Sequence, residues 1–386
     1  MSKKNTIKEG YLDFETYERA KEPHIRQKAS DWRAAIGLQD VDGLKVSDYL
    51  KQTAAKHIEG DITIDEARNM IRDYYVSKDS HDKPKDETEE ADKVSANIAK
   101  LLNAKSFSFT AGEFISIHRH LFEGVFKHAG EIRPYDITKK EWVLRGDTVL
   151  YGRADDIRMA LEYDIQQERN FEYKGLSADE MIEHICHFVS LLWQNHPFRE
   201  GNTRTTAVFI IKYLRFCGFK VNNDLFANNS WYFRNALVRA NYRNMAQGID
   251  PDISFLKLFF RNLLLGENNE LKNRYLLVNP PEEWEKNKIK DETDRTSTEQ
   301  VPNKLTEQVN DAERKLIISI GEQELSMKQI IEAIGMRHRP TLLYNYIDPA
   351  IKAGIVTLLY PDSPRHPRQK YKLTVKGLAL LHDLKE

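Results

Sequence analysis

The run Thr205-Thr206-Ala207-Val208-Phe209-Ile210-Ile211-Lys212-Tyr213-Leu214-Arg215-Phe216-Cys217 constrains the fold more than any other part of the chain. Its apolar residues cover most of a helix's circumference, so the helix needs neighbours on nearly every side. Gly218 supplies its C-terminal cap. A helix buried in this way belongs at the centre of a helical domain, yet its N-terminus opens onto a polar loop. The helix before it starts at Ser177 with Glu180 as a capping box and carries Met181, Ile182, Ile185, Val189 and Leu192 on one face. It stops near Pro197, because proline disfavours helical geometry in the residue before it. Between the two helices lies His196-Pro197-Phe198-Arg199-Glu200-Gly201-Asn202-Thr203-Arg204.

The chemistry of that loop follows from its residue types. A helix N-terminus presents unsatisfied N–H groups and the positive end of a dipole, which together hold phosphate oxygens. Gly201 removes a side chain where an anion approaches, Asn202 adds donors, and Arg204 adds a planar cation suited to bidentate contact. Glu200 offers a hard oxygen ligand for Mg²⁺. His196 is the group here that takes a proton near neutral pH.

Elsewhere the same helix-start signature recurs. Thr63 with Glu66 and Thr110 with Glu113 each precede an apolar stripe of helical spacing. Glu141 to Gly152 reads as two β-prone runs joined by Gly146-Asp147, a β-hairpin. Two charged stretches, 77–92 and 271–311, read as linkers. They divide the chain into an N-terminal helical region 1–76, a central domain 93–270 and a C-terminal domain 312–386. The chain holds 58 Lys and Arg against 59 Asp and Glu, so no global field draws it to nucleic acid or anionic lipid. No stretch is long and apolar enough to span a membrane and the opening residues lack a signal-peptide core, so the expected address is the cytoplasm. Cys186 and Cys217 sit in apolar helical patterns and read as buried free thiols. His184 and His187 share a helix face, but without further ligands a zinc site is not expected.

The loop resembles the motif of the Fic family, His-x-Phe-x-Asp/Glu-Gly-Asn-x-Arg, residue for residue through Arg204. Ile117-His118-Arg119-His120-Leu121-Phe122 and His128-Ala129-Gly130-Glu131-Ile132-Arg133 are similar to that family's core helix and the turn after it. The resemblance runs from about Ser106 to Leu265. It implies a fold that is mainly α, a compact helical core with the hairpin as a flap beside the site. It implies a protein adenylyltransferase that moves AMP from ATP to a hydroxyl side chain of a target protein docked along 141–152, releasing pyrophosphate. On these positions His196 is the base and Phe198 the buried anchor. Glu200 is the Mg²⁺ ligand, and Gly201, Asn202 and Thr203 form the phosphate cradle with Arg204 on the β- and γ-phosphates. Tyr232 and Asn235 are candidates for the adenine wall.

Two positions depart from the pattern: Ala207 stands where many members carry a further arginine, and Thr203 where a second glycine is common. Removal of AMP, which uses the same loop, and phosphotransfer on the same fold stay open as alternatives, although Gly201-Asn202 argue against phosphotransfer. The family's inhibitory glutamate has its nearest match at Glu59, but Ala55 replaces the usual hydroxyl and Ala207 the partner arginine, which favours a surface carboxylate. Residues 312–386 resemble a winged helix, a small α+β module whose Arg365, Arg368, Lys370 and Lys372 form a local basic patch. A DNA-binding regulator, or docking of a protein or a second copy on this module, is the competing reading.

Overall fold

The computed structural model describes residues 12, 14–79, 87–104, 106–221, 223–280, 309–336 and 338–385. The helices are α1 Phe14–Glu18, α2 Pro23–Gly37, α3 Asp48–Glu59, α4 Ile64–Asp79, α5 Glu87–Asn103, α6 Ala111–Leu121, α7 Ile157–Asn170, α8 Ala178–Gln194, α9 Asn202–Phe216, α10 Asn223–Asn241 and α11 Ser254–Leu265. The C-terminal part adds α12 Asp311–Ile320, α13 Met327–Ile334, α14 Arg339–Leu342, α15 Asp348–Lys352 and α16 Val375–Asp383. Its strands β1 Val356–Leu358 and β2 Tyr371–Leu373 pair antiparallel. The protein is mainly α. No described helix is long and apolar enough to cross a membrane.

The chain divides into two units. One takes residues up to 165 with 191–212 and 222–251, and the other takes 166–190, 213–221 and the chain from 252 onward. In the first, α2 packs on α5 and α10, α4 on α3 and α5, and α5 on α6. Every residue from Gly201 to Leu214 is buried, the placement that the all-round apolar pattern requires. Lys212 extends from this buried stretch to donate to the carbonyls of Leu101 and Ala104 at 2.9 and 2.8 Å, capping the end of α5. The helix starts behave as their residues dictate. Glu66 N–H donates to Thr63 Oγ1 while Thr63 N–H donates to Glu66, Ser177 and Glu180 reciprocate in the same way, and Glu113 N–H donates to Thr110.

Three expectations change. The segment 141–152 folds back on itself, with Glu141 N–H donating to Asp147 O at 2.9 Å, but through a 3₁₀ turn at Trp142–Leu144 and without strands. Arg145 and Gly146 both take positive φ, and Val143, Leu144 and Val149 are drawn into the core, which breaks the alternation a ribbon needs. The charged stretch 77–92 is not linker throughout: residues 80–86 lie outside the described residues, but from Glu87 the chain is helical. Asp92 is fully buried and accepts hydrogen bonds from Ser47 N–H at 2.8 Å and from the Tyr75 hydroxyl at 2.7 Å. The charge that suggested solvent is satisfied inside. Of 271–311, residues 281–308 lie outside the described residues. Asn273–Leu276 forms a 3₁₀ turn and Leu276, Leu277 and Val278 are buried.

In the second unit, Glu168 is a buried acceptor shared by the hydroxyls of Tyr173 and Tyr213 and by His184, whose Nε2 lies 2.6 Å away. His184 thus has a structural partner, and Cys186 and Cys217 are free and buried. Asn310 and Ser326 close capping boxes on α12 and α13, and Leu325 bridges Tyr371 beside the two-stranded ribbon.

In the first unit, His57 is almost fully buried and accepts the Trp32 indole N–H on Nδ1 at 2.9 Å. Burial, with Lys28 adding to it, pushes its pKa down to about 4. The unfolded chain therefore takes up a proton near pH 6.5 that the folded chain refuses until about pH 4. The stability His57 contributes is complete above pH 6.5 and is lost as pH falls through that window, by about 1.4 kcal/mol per pH unit. Unfolding measured from pH 7.5 to 4.5 is expected to show this fall, and His57→Gln, which keeps an acceptor for Trp32, to show a shallower one.

Candidate active site

The loop begins in a strained conformation. His196 has φ 44°, the left-handed region that a non-glycine residue rarely occupies. Arg133 holds it there. This guanidinium, about 1% exposed, donates to His196 O at 2.8 Å, to Tyr135 O at 2.5 Å, and to the Gly152 and Asn195 carbonyls. Its own N–H donates to Pro197 O at 2.9 Å. The turn turns the imidazole inward against Tyr151, ring to ring at 4.2 Å, and edge-on to Trp193 at 5.2 Å. His196 is 3% exposed and neither ring nitrogen has a hydrogen-bond partner. Burial, and after it the positive charges of Lys139, Arg234 and Arg133, hold its pKa well below the ordinary 6.5. It is a neutral imidazole with a free lone pair.

The next turn is built on α6. Phe198 is fully buried and stacks on His118 at 3.7 Å. Gly130 N–H donates to His118 Nδ1 at 2.8 Å, so Nε2 carries the proton and donates to Glu200 O at 3.1 Å. Burial pushes the His118 pKa down to about 3, which keeps this tautomer intact. Gly201 has φ +72°, and a Cβ there would lie 2.1 Å from the Phe122 ring. The space a side chain would take is filled by Phe122, so the glycine serves the loop's own packing rather than only the approach of an anion. Asn202 likewise turns inward: Phe198 N–H donates to its Oδ1 at 2.9 Å and its Nδ2 donates to Phe198 O at 2.7 Å. Its amide closes the loop and is not turned to a ligand as expected. Thr203 Oγ1 accepts the Trp193 indole N–H at 2.9 Å. The anion-binding groups left at this point are the backbone N–H groups of the first turn of α9, which have no intrahelical acceptor.

Glu200 and Arg204 line one cleft of about 730 Å³ with Asp40, Asp42, Glu90, Trp231 and Arg234 among its walls. The Glu200 carboxylate is 60% exposed, 3.9 Å from Lys139. Arg204 is buried and already engaged, with Nη2 donating to Glu90 at 2.8 Å, Nη1 to Gln39 at 3.0 Å, and Nε 2.8 Å from Asp42. Tyr232 and Asn235 face the core, 2% and 0% exposed. The residues of α10 that reach the cleft are their neighbours Trp231 and Arg234. Their i, i+3 spacing marks a separate face, and an adenine wall read one residue out of register lands in the core. Glu59 lies at the end of α3, exposed, its carboxylate accepting from the Tyr17 hydroxyl at 2.6 Å. It lines no part of this cleft, and the carboxylates on Arg204 are Asp42 and Glu90. The sequence reading also missed Arg133, His118 and Tyr151. His118 and Arg133 stood in segments picked out only by resemblance, and nothing local announces that a residue some sixty or eighty positions away carries the loop.

Gly201→Ala is expected to destabilise the protein by about 2–4 kcal/mol, the sum of a left-handed alanine and a ring clash. In Phe122→Leu the same substitution is expected to cost less, because only the backbone strain remains. Thermal unfolding of the two single variants and the double variant measures the coupling. Additive losses would show that Phe122 is not what excludes the Cβ.

Residues 108–214 match the Fic/DOC family model, and residues 308–374 match the model for the Filamentation induced by cAMP protein Fic-like, C-terminal domain. Protein adenylyltransferase VbhT of Bartonella schoenbuchensis is 31% identical over 119 residues, 31% of this chain and 24% of that protein. The probable protein adenylyltransferase Fic of Salmonella typhimurium is 24% identical over 151 residues, 39% of this chain and 66% of that protein. The chain thus spans from about a quarter to just under two thirds of these curated relatives. Among solved structures, a Fic family protein from Desulfovibrio desulfuricans G20 aligns over 94% of this chain and 92% of its own, at 18% identity and a TM-score of 0.39. Residues 108–214, which hold the whole His196–Arg204 loop and the His118 beneath it, are a domain of the Fic/DOC family, and residues 308–374 are a Fic-like C-terminal domain.

Proposed function

We propose that this protein is a protein adenylyltransferase, transferring AMP from ATP to a hydroxyl side chain of a target protein with release of pyrophosphate. The observation that carries this reading is His196: a buried, neutral imidazole with both nitrogens unpartnered, at the head of a loop whose other end is the N-terminus of α9. A histidine placed only to stabilise the fold would have found a partner, since an unmet buried nitrogen costs about 1–3 kcal/mol. Relatives named as adenylyltransferases match 119 and 151 residues of the chain.

In this mechanism His196 accepts the proton of the target hydroxyl as its oxygen bonds to the α-phosphorus and the bond to the pyrophosphate oxygen breaks. The backbone N–H groups at the start of α9 hold phosphate oxygens and the helix dipole favours their charge. Glu200, exposed at the cleft, fits a Mg²⁺ ion bound through a single carboxylate and the phosphates; when present, the ion neutralises phosphate charge. Tyr151 covers His196, and its hydroxyl donates to Glu141 at 3.0 Å. The segment that carries Tyr151 therefore lies where an incoming target reaches the base, and docking of the target along 141–152 is part of the reading. A cytoplasmic setting, supplying ATP and Mg²⁺, is proposed with it. For DNA binding, the exposed Arg365, Arg368, Lys370 and Lys372 form a small patch with, among the described residues, no buried unpartnered group comparable to His196, and Lys372 faces Glu324 at 3.7 Å.

Incubation with α-³²P-ATP, Mg²⁺ and cell lysate is expected to label protein, and γ-³²P-ATP is not. His196→Ala is expected to lose transfer by a factor of about 10² or more while still binding ATP. Labelling from the γ-position would make the protein a phosphotransferase.

The pH dependence of the same reaction gives a second check. A base held well below pH 6.5 keeps its lone pair as the solution is acidified, so the rate is expected to stay level from pH 8 to 6.5 and to fall only below that. The limb is read in kcat/KM, which reports the free enzyme; one centred at or above pH 6.5 would contradict the lowered His196 pKa.

A further inference from the structure

A cleft that holds a polyphosphate needs cations with donors to give, and Arg204 already spends two of its nitrogens on Glu90 and Gln39. Two carboxylates and an amide surround its three nitrogens, and the Phe122 ring lies 4.9 Å from its guanidinium carbon. The pattern's further arginine is absent, since Ala207 is fully buried in α9. Lys139 lies 3.9 Å from Glu200 and is about one-third exposed, so water competes for its charge.

Arg234 is placed differently. Its Nη2 lies 2.7 Å from Glu141 Oε2, its side chain is 16% exposed, and Nη1 has no hydrogen-bond partner. The guanidinium lies 5.1 Å from the Trp231 ring, and both residues line the cleft with Glu200 and Arg204. Glu141 is itself buried and held on its other oxygen by Tyr151. The guanidinium is thus held from one side by an ion pair, in which neither Glu141 Oε2 nor Arg234 Nη1 makes a hydrogen bond. An arginine serving only to neutralise a buried glutamate would present two parallel N–H groups to it; here the pair meets through one nitrogen and leaves the second unsatisfied.

We propose that Arg234, on α10, is the second polyphosphate-binding cation of this cleft, supplying a charge that α9 lacks at Ala207. The assignment rests on the reading of the cleft as an ATP site and adds the residue that distinguishes a triphosphate from a monophosphate. Nη1 donates to a terminal phosphate oxygen while Nη2 stays on Glu141, so binding leaves no buried carboxylate unpaired. The Trp231 ring beside the guanidinium excludes water from one face and strengthens that contact.

Calorimetric titration of the full chain with ATP and with AMP, each with Mg²⁺, tests this. The unmodified protein is expected to prefer ATP. Arg234→Gln is expected to lose about tenfold in ATP affinity, roughly 1.4 kcal/mol, and to hold AMP within about twofold. Arg234→Lys, which keeps the charge without the fork, is expected to fall between. An unchanged ATP-to-AMP ratio in Arg234→Gln would overturn the assignment and leave the ATP site standing. Equal loss of both nucleotides in both variants would show Arg234 to be a support of the fold, and would also overturn it. Failure of the unmodified protein to bind ATP would take down the reading of the cleft and this assignment together.

Discussion

The site depends on a buried arginine that touches no substrate. Arg133 gathers the carbonyls of Tyr135, Gly152, Asn195 and His196 around one guanidinium. The nearest carboxylate, Asp136, is 3.9 Å away and exposed. A cation buried without a close counter-ion is costly unless its donors are met, and here carbonyl dipoles meet them. Burial lowers the Arg133 pKa accordingly. The return is geometric, because carbonyls from three separate stretches of chain, at Tyr135, Gly152 and Asn195–His196, are fixed to one rigid fork. The left-handed turn at His196 persists because its carbonyl is held there, and the strain is carried by the surrounding structure.

From that anchor the loop is packed almost wholly against itself and α6. Phe198 stacks on His118, whose ring meets Phe122 at a tilt, while Asn202 closes the turn from Phe198. Side chains that look like ligand contacts in the one-dimensional motif are mostly structural here. What they achieve is to aim backbone N–H groups and one imidazole, and preorganised groups of that kind need no rearrangement when charge develops. The polar groups turned to the cleft come from several elements: Glu200 and Arg204 from the loop and α9, Asp42 and Glu90 from the N-terminal part, and Trp231 and Arg234 from α10.

Much of this was legible from residue pattern. The circumference of Thr205–Cys217 required a buried helix, and Pro197 and the capping residues marked element ends. These signals are local, and each rests on backbone geometry that a few adjacent residues control. The misreadings share a cause too. Charge in 87–92 suggested solvent because composition does not show that Asp92 meets Ser47 and Tyr75. The β-prone residues of 141–152 suggested strands because sequence does not show that Val143, Leu144 and Val149 are claimed by the core. Tyr232 and Asn235 suggested a pocket wall because a helix face is ambiguous by one residue until its neighbours are known.

The sequence alone therefore determined the helical class, the burial of the central helix and the residue types of the loop before it, since period, caps and residue type act over a few residues. Tertiary structure decided which groups are free to act. It turned the Asn202 amide inward and paired Arg204 with Asp42 and Glu90. It left His196 without a partner and brought Arg234 to the cleft. Those outcomes depend on contacts between residues up to 165 positions apart, and the partner that satisfies or frees a polar group is set by packing, which no local pattern encodes.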